Sequence, residues 1–591
     1  MNKPSLFDFP PITRSFLTYC CALTLFGIVV FANHLHNALQ FDSVLYIKNG
    51  VNIQSPEEIL NWKFISKEYC CRSLTRITLS INAFLDNANP FGYHLFNLAI
   101  HTLNSILVFF VVIKAFRYFC PRLDCQNKST TNLAGFLASV GFLCHPIQTE
   151  SVVYIVSRSG LIAATIYLST FLLFQKFLAG KYSKSLFAWI GIGVISATLI
   201  SIGYGFKQNV ITFPATAILY WYCRLPENSQ PLQILKKLKW FILGIVFSAL
   251  TVLMWKLISD EGFLIGPSTA GEAVGRVNYM LSQPIVIVFY YFKLFFWPFN
   301  LNIDPDIPFG TLSPQLLLSI ALIFGPLWAL FNKKSLLIYF FGLSWFYIVI
   351  SPSSSIITLL DIAAEHRIYL GTVGLFLIFG VLGARFAQAL KINTNHTKKM
   401  ALLIACIVML CLTTIKRNSI WKTEEALWMD TQKKSPNKTR AWINLGRAKT
   451  LSGNIKRAIY YYENAIKLNP DFFQTQFNLG SLYHQQGKYR EALEHFFRAR
   501  ILAPNLSEPF GRIGETYMAL KDYPEANKFL KKAVEINPNY SIAFRNLGVT
   551  NYYYLNKKRE GLVYFKKSLS LDPNQPGVDQ VIRLLKLEGV L

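Results

Sequence analysis

Carboxylates and cations placed just beyond apolar runs are the residues of this chain with most bearing on chemistry. Asp42, in "LQFDSVLYIKNGVN", is the first acidic residue after the first apolar run. It stands among Phe41, Val44, Leu45 and Tyr46, where an interface partly desolvates it, and such a carboxylate is either paired or functional. The same loop continues into "CCRSLTRITLSINAFL", with Leu74, Ile77 and Ile81 on an apolar face and Arg72 and Arg76 on a basic one. That is the pattern of an amphipathic helix lying at a membrane surface within reach of a lipid phosphate. Three further segments carry charge: "CHPIQTESVVYIVSRSG" with Glu150 and Arg158, "GYGFKQNVITFP" with Lys207, and "LLDIAAEHRIYLGTVG" with Asp361, Glu365, His366 and Arg367. A few carboxylates beside several cations suit a site that holds an anionic lipid carrier through Arg and Lys while a carboxylate takes a proton from an incoming hydroxyl. Paired Glu and Arg also serve as structural salt bridges, and at this level both readings stand.

The elements that must position these residues are those of a membrane protein. The 591 residues are 52% hydrophobic, 15% aromatic and only 15% charged, too apolar for an ordinary soluble chain of this size. The formal charge of +27 sits largely in short loops between apolar runs, as the positive-inside rule requires, so no nucleic-acid partner is expected. Ten Cys show no zinc spacing, and Cys120 and Cys125 lack His partners nearby, so no metal site is expected. Lys3 and Arg14 precede an apolar stretch without a small-residue cleavage site, which reads as an uncleaved first span.

Apolar stretches that approach the roughly 30 Å hydrocarbon core lie near 15-34, 94-114, 133-150, 160-178, 185-204, 208-223, 239-258, 313-331, 335-351, 367-388 and 400-415, about eleven spans. A further stretch, "PIVIVFYYFKLFFWPF" at 284-299, is short, carries Lys293 in its middle and is bracketed by Pro, the pattern of a re-entrant or interfacial segment. If it does not span, the loops holding Lys114, Arg117, Arg122 and Lys128, then Lys176, Lys181 and Lys184, then Arg224, Lys236, Lys237 and Lys239, then Lys333 and Lys334, then Arg385, Lys391, Lys398 and Lys399 all face the cytoplasm. The charged candidates then face the opposite side together. His94, Asn97, His101 and Asn104 form one polar stripe on the second span, expected to make interhelical hydrogen bonds.

From about 416 the sequence becomes soluble and helical, and it repeats. Gly446, Gly480, Gly514 and Gly548 stand thirty-four residues apart, the period of tetratricopeptide repeats. Ala458, Ala492 and Ala526 keep the period, as do Ala465, Ala499 and Ala533, and Pro470, Pro504 and Pro538. A fourth unit runs one residue long, with Gly561, Ser568 and Pro573 in those roles. The expected organisation is a membrane domain over 1-415, a leading helix and junction over 416-438, repeats over 439-472, 473-506, 507-540 and 541-575, and a capping helix over 576-591. Such a solenoid offers a concave face for a peptide or protein and no catalytic chemistry.

"FDSVLYIKN", "RSLTRITLSINAFL", "YHLFNLAIHTLNSILVF", "HPIQTESVVYIVSRSG", "FKQNVIT" and "AAEHRIYLGTVG", followed by the repeats, resemble the transmembrane-and-tetratricopeptide-repeat family of protein O-mannosyltransferases and its bacterial relatives, over nearly the whole chain. The resemblance implies an all-α fold: a polytopic membrane helix bundle of the C-type glycosyltransferase kind followed by a tetratricopeptide-repeat α-solenoid. It also implies inverting transfer of a hexose, mannose first, from a polyprenyl-phosphate sugar to a Ser or Thr hydroxyl of an exported protein; no cofactor is expected.

By the same match Asp42 is the second member of an acidic pair, with Phe41 where the first should be, and it becomes the expected general base. Arg72, Arg76, Glu150, Arg158, Lys207, Glu365, His366 and Arg367 become the expected contacts to lipid phosphate or sugar. Ser73, Gln148, Gln208 and Gly371 depart from the family's usual Pro, His, acid and Pro, and the lost acids count against a divalent metal. The expected partners are the lipid-linked donor, an acceptor protein held by the repeats, and membrane lipid. The expected setting is a bacterial inner membrane with the charged loops and repeats on the periplasmic side, an endoplasmic reticulum membrane giving the same topology. A non-enzymatic scaffold that recruits envelope proteins through the repeats is the rival reading. A transporter is disfavoured, since no duplicated pattern of spans is seen.

Overall fold

The computed structural model describes residues 14–40, 43, 73–86, 89–119, 128–180, 185–225, 276–307, 313–331, 336–354, 359, 361–391, 396–574 and 578–589. Asp42, Arg72 and the stretch 239-258 lie outside them. The chain forms two units, one holding the residues up to Lys434 and one beginning at Ser435, and the described residues contain no strand.

In the first unit the apolar runs become helices: α1 (Arg14–Phe31), α2 (Ser73–Asp86), α3 (Pro90–Phe119), α4 (Lys128–Cys144), α5 (Thr149–Val153), α6 (Arg158–Ala179), α7 (Leu186–Tyr204) and α8 (Phe213–Arg224). Then α9 (Arg276–Ile285) runs on through a π-helical stretch, Val286–Phe292, into α10 (Lys293–Phe296). After these come α11 (Pro314–Phe331), α12 (Leu337–Ile350), α13 (Thr372–Lys391), α14 (His396–Ile420) and α15 (Glu424–Lys434). Among the described residues seven helices are long and apolar enough to cross a membrane, and four apolar helices are shorter. The protein is multi-pass.

One of the seven, Val277–Phe296, is tied to the loops around it. The Tyr279 hydroxyl donates to Ser353 O (2.7 Å) and Gln283 Nε2 to Ile362 O (3.1 Å). Further along, the Tyr291 hydroxyl donates to Ala364 O (3.3 Å), and Phe295 O accepts from His145 Nε2 (2.9 Å). Both ends of the helix therefore meet loops of the first unit, and Lys293 is exposed. The sequence reads 284-299 as a re-entrant or interfacial segment; the described helix already includes Arg276–Ile285, with Pro284 tolerated where the π turn follows.

The polar stripe of α3 is spent on neighbours, as satisfied backbone in an apolar bundle demands. His94 Nε2 donates to Asn37 O (3.1 Å), Asn97 Nδ2 to Val152 O (3.1 Å) and Asn104 Nδ2 to Leu161 O (2.9 Å). His101 bonds through Nδ1 to the Tyr369 hydroxyl (2.7 Å) and through Nε2 to Leu143 O (3.2 Å). Close helix approach uses glycine: a Cβ on Gly374 of α13 would lie 2.1 Å from Gly342 O of α12, and one on Gly380 2.3 Å from Ala134 O of α4.

The second unit holds four helix pairs: α16 (Thr439–Leu451) with α17 (Ile455–Leu468), α18 (Phe473–Gln485) with α19 (Tyr489–Leu502), α20 (Ser507–Ala519) with α21 (Tyr523–Ile536), and α22 (Ser541–Val549) with α23 (Lys558–Leu571). A last helix, α24 (Val578–Leu587), buries Val581 and Leu585 against Phe565. Gly446, Gly480, Gly514 and Gly548 each sit under a partner side chain, respectively Tyr462, Phe496, Leu530 and Phe565, with no room for a Cβ. The extra residue of the fourth repeat is taken up as a π-helical turn, Thr550–Tyr554.

The turn inside each pair needs one left-handed residue: Gly453, Gly487, Lys521 and Asn556, with φ of 75°, 75°, 64° and 53°. Lysine gains nothing there, so Lys521→Gly is expected to stabilise the repeat unit by roughly 0.5–1 kcal/mol. A lower unfolding temperature of the repeat unit in that variant would contradict the strain.

The stretch "TEEALWMDTQKKSPN" reads in sequence as a leading helix of the solenoid. Its helix, α15, groups instead with the membrane unit, because Leu427 and Trp428 are buried and Asp430 and Lys434 enter an ion network there.

Candidate active site

The site is assembled where α4, α7 and α14 end and α13 begins. After α4 the chain turns at His145, whose Nδ1 accepts the Ile147 N–H (3.1 Å) and whose ring stacks on Phe295. Pro146 then starts a short helical turn, and α5 follows with Glu150 in its first turn, 3% exposed. Opposite it, Glu365, His366 and Arg367 form a single 3-10 turn.

Glu150 grips His366 twice. Its Oε1 lies 2.5 Å from His366 Nδ1, and its Oε2 accepts the His366 backbone N–H at 3.2 Å, across 216 residues of chain. Burial alone would raise the Glu150 carboxyl, but His366, together with Arg417, outweighs it and holds the group below the usual carboxylate range. Burial pushes the His366 imidazole down, even against the pull of Glu150. The pair is thus a carboxylate facing a neutral ring that donates through Nδ1. Lys207 reaches the same turn, donating from Nζ to His366 O at 3.3 Å. A Cβ on Gly160 would lie 3.1 Å from that Nζ, so glycine there leaves Lys207 its path.

Glu365 faces the other way and is fully buried. Its Oε1 accepts the Asn302 N–H (2.6 Å) and the Tyr290 hydroxyl (3.4 Å), and Arg417 Nη2 stands 3.8 Å from Oε2. Arg417 donates to Asp430 (3.0 Å), as does Lys434 (2.6 Å), which also bonds Leu301 O (2.8 Å). Burial outweighs Arg417 and raises the Glu365 carboxyl to about 8. A raised folded-state value means stability that is fully present below the unfolded value and lost as pH rises through about 8. Thermal unfolding in detergent from pH 5 to 9 (a window of about that width is needed) is expected to show wild type losing stability relative to Glu365→Gln as pH rises. A difference between the two that is flat across the window would refute the assignment.

Arg158 has a role that its sequence context does not announce. Its guanidinium is fully buried, with Nε donating to Asn97 Oδ1 (2.9 Å), Nη1 to Thr78 O (3.0 Å) and Asn82 Oδ1 (2.5 Å), and Nη2 to Tyr93 O (3.2 Å). It also lies over the Phe96 ring, 4.3 Å from the centroid. Those donors are committed to α2 and α3, so Arg158 is a clamp between helices rather than a contact to a carrier phosphate. Arg367 is likewise mostly buried and donates to Asp361 O (2.7 Å).

The structure therefore brings Glu150, Lys207, Glu365, His366 and Arg367 together and sets Arg158 apart. Arg76 is on α2, whose Leu74 packs against Gly205, two residues before Lys207. Asp42 and Arg72 lie outside the described residues, though the flanking Gln40 and Ser43 line a small recess with Val153, Tyr154, Ile155 and Trp421. Arg417, Asp430 and Asn302 were not singled out in sequence; the only signal for Arg417 is a cation at the end of the last apolar run.

Comparison with known proteins covers both units. Tetratricopeptide-repeat family models match residues 446–487, 473–506 and 508–540. Protein O-mannosyl-transferase Tmtc3 of Drosophila melanogaster is 23% identical over 533 residues, 78% of this chain and 56% of that protein. Protein O-mannosyl-transferase TMTC3 of Homo sapiens is 26% identical over 442 residues, 68% of this chain and 45% of its own. Protein O-mannosyl-transferase F38B6.6 of Caenorhabditis elegans is 25% identical over 476 residues, 76% and 62% respectively. The chain is a relative of these proteins. It spans about half the length of the curated relatives it matches first.

Proposed function

We propose that this relative of the protein O-mannosyl-transferases is itself a membrane glycosyltransferase, moving a hexose, mannose first, from a polyprenyl-phosphate sugar to a Ser or Thr hydroxyl of an exported protein. The similarity over 68% to 78% of the chain carries the reading. The geometry supports it: a carboxylate, an imidazole and an ammonium group meet at one end of the bundle, where a lipid-borne phosphate and a protein hydroxyl can both arrive. In this reading Lys207, with Arg76 and Arg72 on the first-loop side, balances the carrier phosphate as its charge grows in the transition state. Arg158 acts only by holding α2 in place. Asp42 is the carboxylate that the first loop offers to the departing hydroxyl proton. No cofactor is proposed. The repeats hold the acceptor, and the charged loops and repeats face the periplasm or lumen, a bacterial inner membrane being the preferred setting.

The test is transfer of labelled sugar from a panel of polyprenyl-phosphate sugars into endogenous acceptor proteins by purified protein in lipid. Incorporation from the mannose donor is expected. Failure of every donor would shift the reading to a scaffold that recruits envelope proteins.

A further inference from the structure

The repeat unit carries more positive charge than its packing uses. Residues 435–591 hold 24 Lys and Arg against 13 Asp and Glu, a surplus that repels itself and attracts anionic partners. Part of it is gathered at one cavity. That cavity, of about 440 Å3, is lined by Arg447 of α16, by Asn478, His484 and Gln485 of α18, and by Arg512 of α20, with the buried Tyr462 of α17. The first helices of three successive pairs thus open onto one space. Arg447 and Gln485 are exposed, while Asn478, His484 and Arg512 are half-buried. No Asp or Glu is among the described residues that line it.

The repeat register shows that folding does not dictate these side chains. Gly446, Gly480, Gly514 and Gly548 keep one position constant, whereas Arg447, in the next position, is followed at the same interval by Ser481, Glu515 and Val549. His484 likewise stands in register with Thr450, Met518 and Tyr552. Packing between neighbours fixes the first position and accepts residues of every kind at the others, so the cations at the cavity answer to something besides the fold. Arg512 is held ready: Glu515 takes its Nη1–H at 2.7 Å, and Glu515 Oε1 accepts from Asn546 Nδ2 at 3.2 Å. The pair with Glu515 engages one of the five N–H donors that a guanidinium carries and fixes its direction.

We propose that this cavity takes an acidic segment of a polypeptide, with Arg447 and Arg512 on its carboxylates and the amides of Asn478 and Gln485 on its backbone; that the polypeptide is the acceptor rests on the transfer reading. Guanidinium groups match carboxylates in charge and geometry, and a side-chain amide both donates and accepts, as a peptide group does. The size suits a few side chains of an extended segment, since ligand cavities run to roughly 300–1,000 Å3. A lipid surface is flat on this scale and would be met by an exposed patch, not by a space between helices. Acceptors rich in Asp and Glu beside their Ser and Thr are therefore the ones this unit selects.

The experiment measures fluorescence anisotropy of two labelled peptides of equal length, one alternating Ser and Glu and one alternating Ser and Gln, on full-length protein in phosphatidylcholine nanodiscs. The Ser-Glu peptide is expected to bind at least ~10-fold tighter, with a gap that narrows as salt rises. Arg447→Gln and Arg512→Gln are each expected to remove most of that gap, whereas Lys567→Gln, at an exposed cation of α23 outside the cavity, keeps it. Equal binding of the two peptides by wild type, or a gap that both arginine variants retain, would overturn the proposal. An equal loss in Lys567→Gln would overturn it as well, by assigning the preference to the charge of the whole unit. If neither peptide binds but glycerol 1-phosphate does, and Arg447→Gln abolishes that binding, the cavity belongs to a lipid headgroup and the acidic-segment proposal falls. Sugar transfer is measured separately on the same preparations. A preference for the Ser-Glu peptide without transfer from any donor would support the cavity assignment and overturn the transfer reading, while transfer with equal binding of both peptides would do the reverse.

Discussion

Arg158→Met is expected to cost the membrane unit about 1–3 kcal/mol for each buried acceptor left without a donor. The guanidinium links Asn97 and Tyr93 on α3 to Thr78 and Asn82 on α2. Methionine approximates its stem but leaves those acceptors facing an apolar side chain, each a desolvated polar group with no donor. Arg158→Lys should be nearly as damaging, because one ammonium cannot reach acceptors that a planar fork serves from three nitrogens. Alanine at Asn82, a half-buried acceptor, should be milder. The readout is the unfolding temperature and the monodisperse fraction of purified protein in detergent. Wild-type behaviour of Arg158→Met would show that the guanidinium is not the clamp and would return it to the pool of carrier-binding cations.

Gly374→Val is the second variant expected to do severe harm. The added Cβ meets Gly342 O at 2.1 Å and Trp345 Cβ at 3.0 Å, so relief requires that α12 and α13 separate, not that a flexible side chain turn. Overpacking a well-filled interior costs about 1–3 kcal/mol and more when backbone opposes it, and this contact belongs to the second kind. An internal control sharpens the test. A Cβ on Gly191 of α7 meets nothing within 4 Å, so Gly191→Ala should be neutral or gain up to about 1 kcal/mol from helix propensity. Equal loss of folded protein in both variants would mean that glycine matters here for something other than close approach.

Both variants act through contacts that connect distant parts of the chain, and this is where the sequence stops being informative. The stripe of His94, Asn97, His101 and Asn104 announces an inward face of α3, since helical spacing alone puts the four side chains on one side. Nothing in that spacing says that Asn97 would spend its oxygen on Arg158. An arginine at the head of an apolar helix reads equally as a phosphate ligand or as a clamp. The difference lies in whether four protein acceptors converge on it, and those come from helices some sixty to eighty residues away. The stretch 284-299 reads in sequence as re-entrant or interfacial because it is short and holds a lysine, whereas the described helix already includes the polar residues from Arg276.

The repeats are the opposite case. A thirty-four-residue register of Gly, Ala and Pro determines the helix pairs and their close faces, because each repeat packs on its neighbours through the same few positions. Even the extra residue of the fourth unit is visible as a slip in that register, though its form as a π turn at Thr550–Tyr554 is not. The site is decided elsewhere. Glu150 and His366 are 216 residues apart, and no period connects them. By itself the sequence determined a multi-pass helical membrane protein with tetratricopeptide repeats and a set of charged residues at the span ends, because apolar length and periodicity are local properties. Only the tertiary structure decided which charges meet each other, because pairing depends on how helix ends converge, and a side chain's type does not reveal its partner.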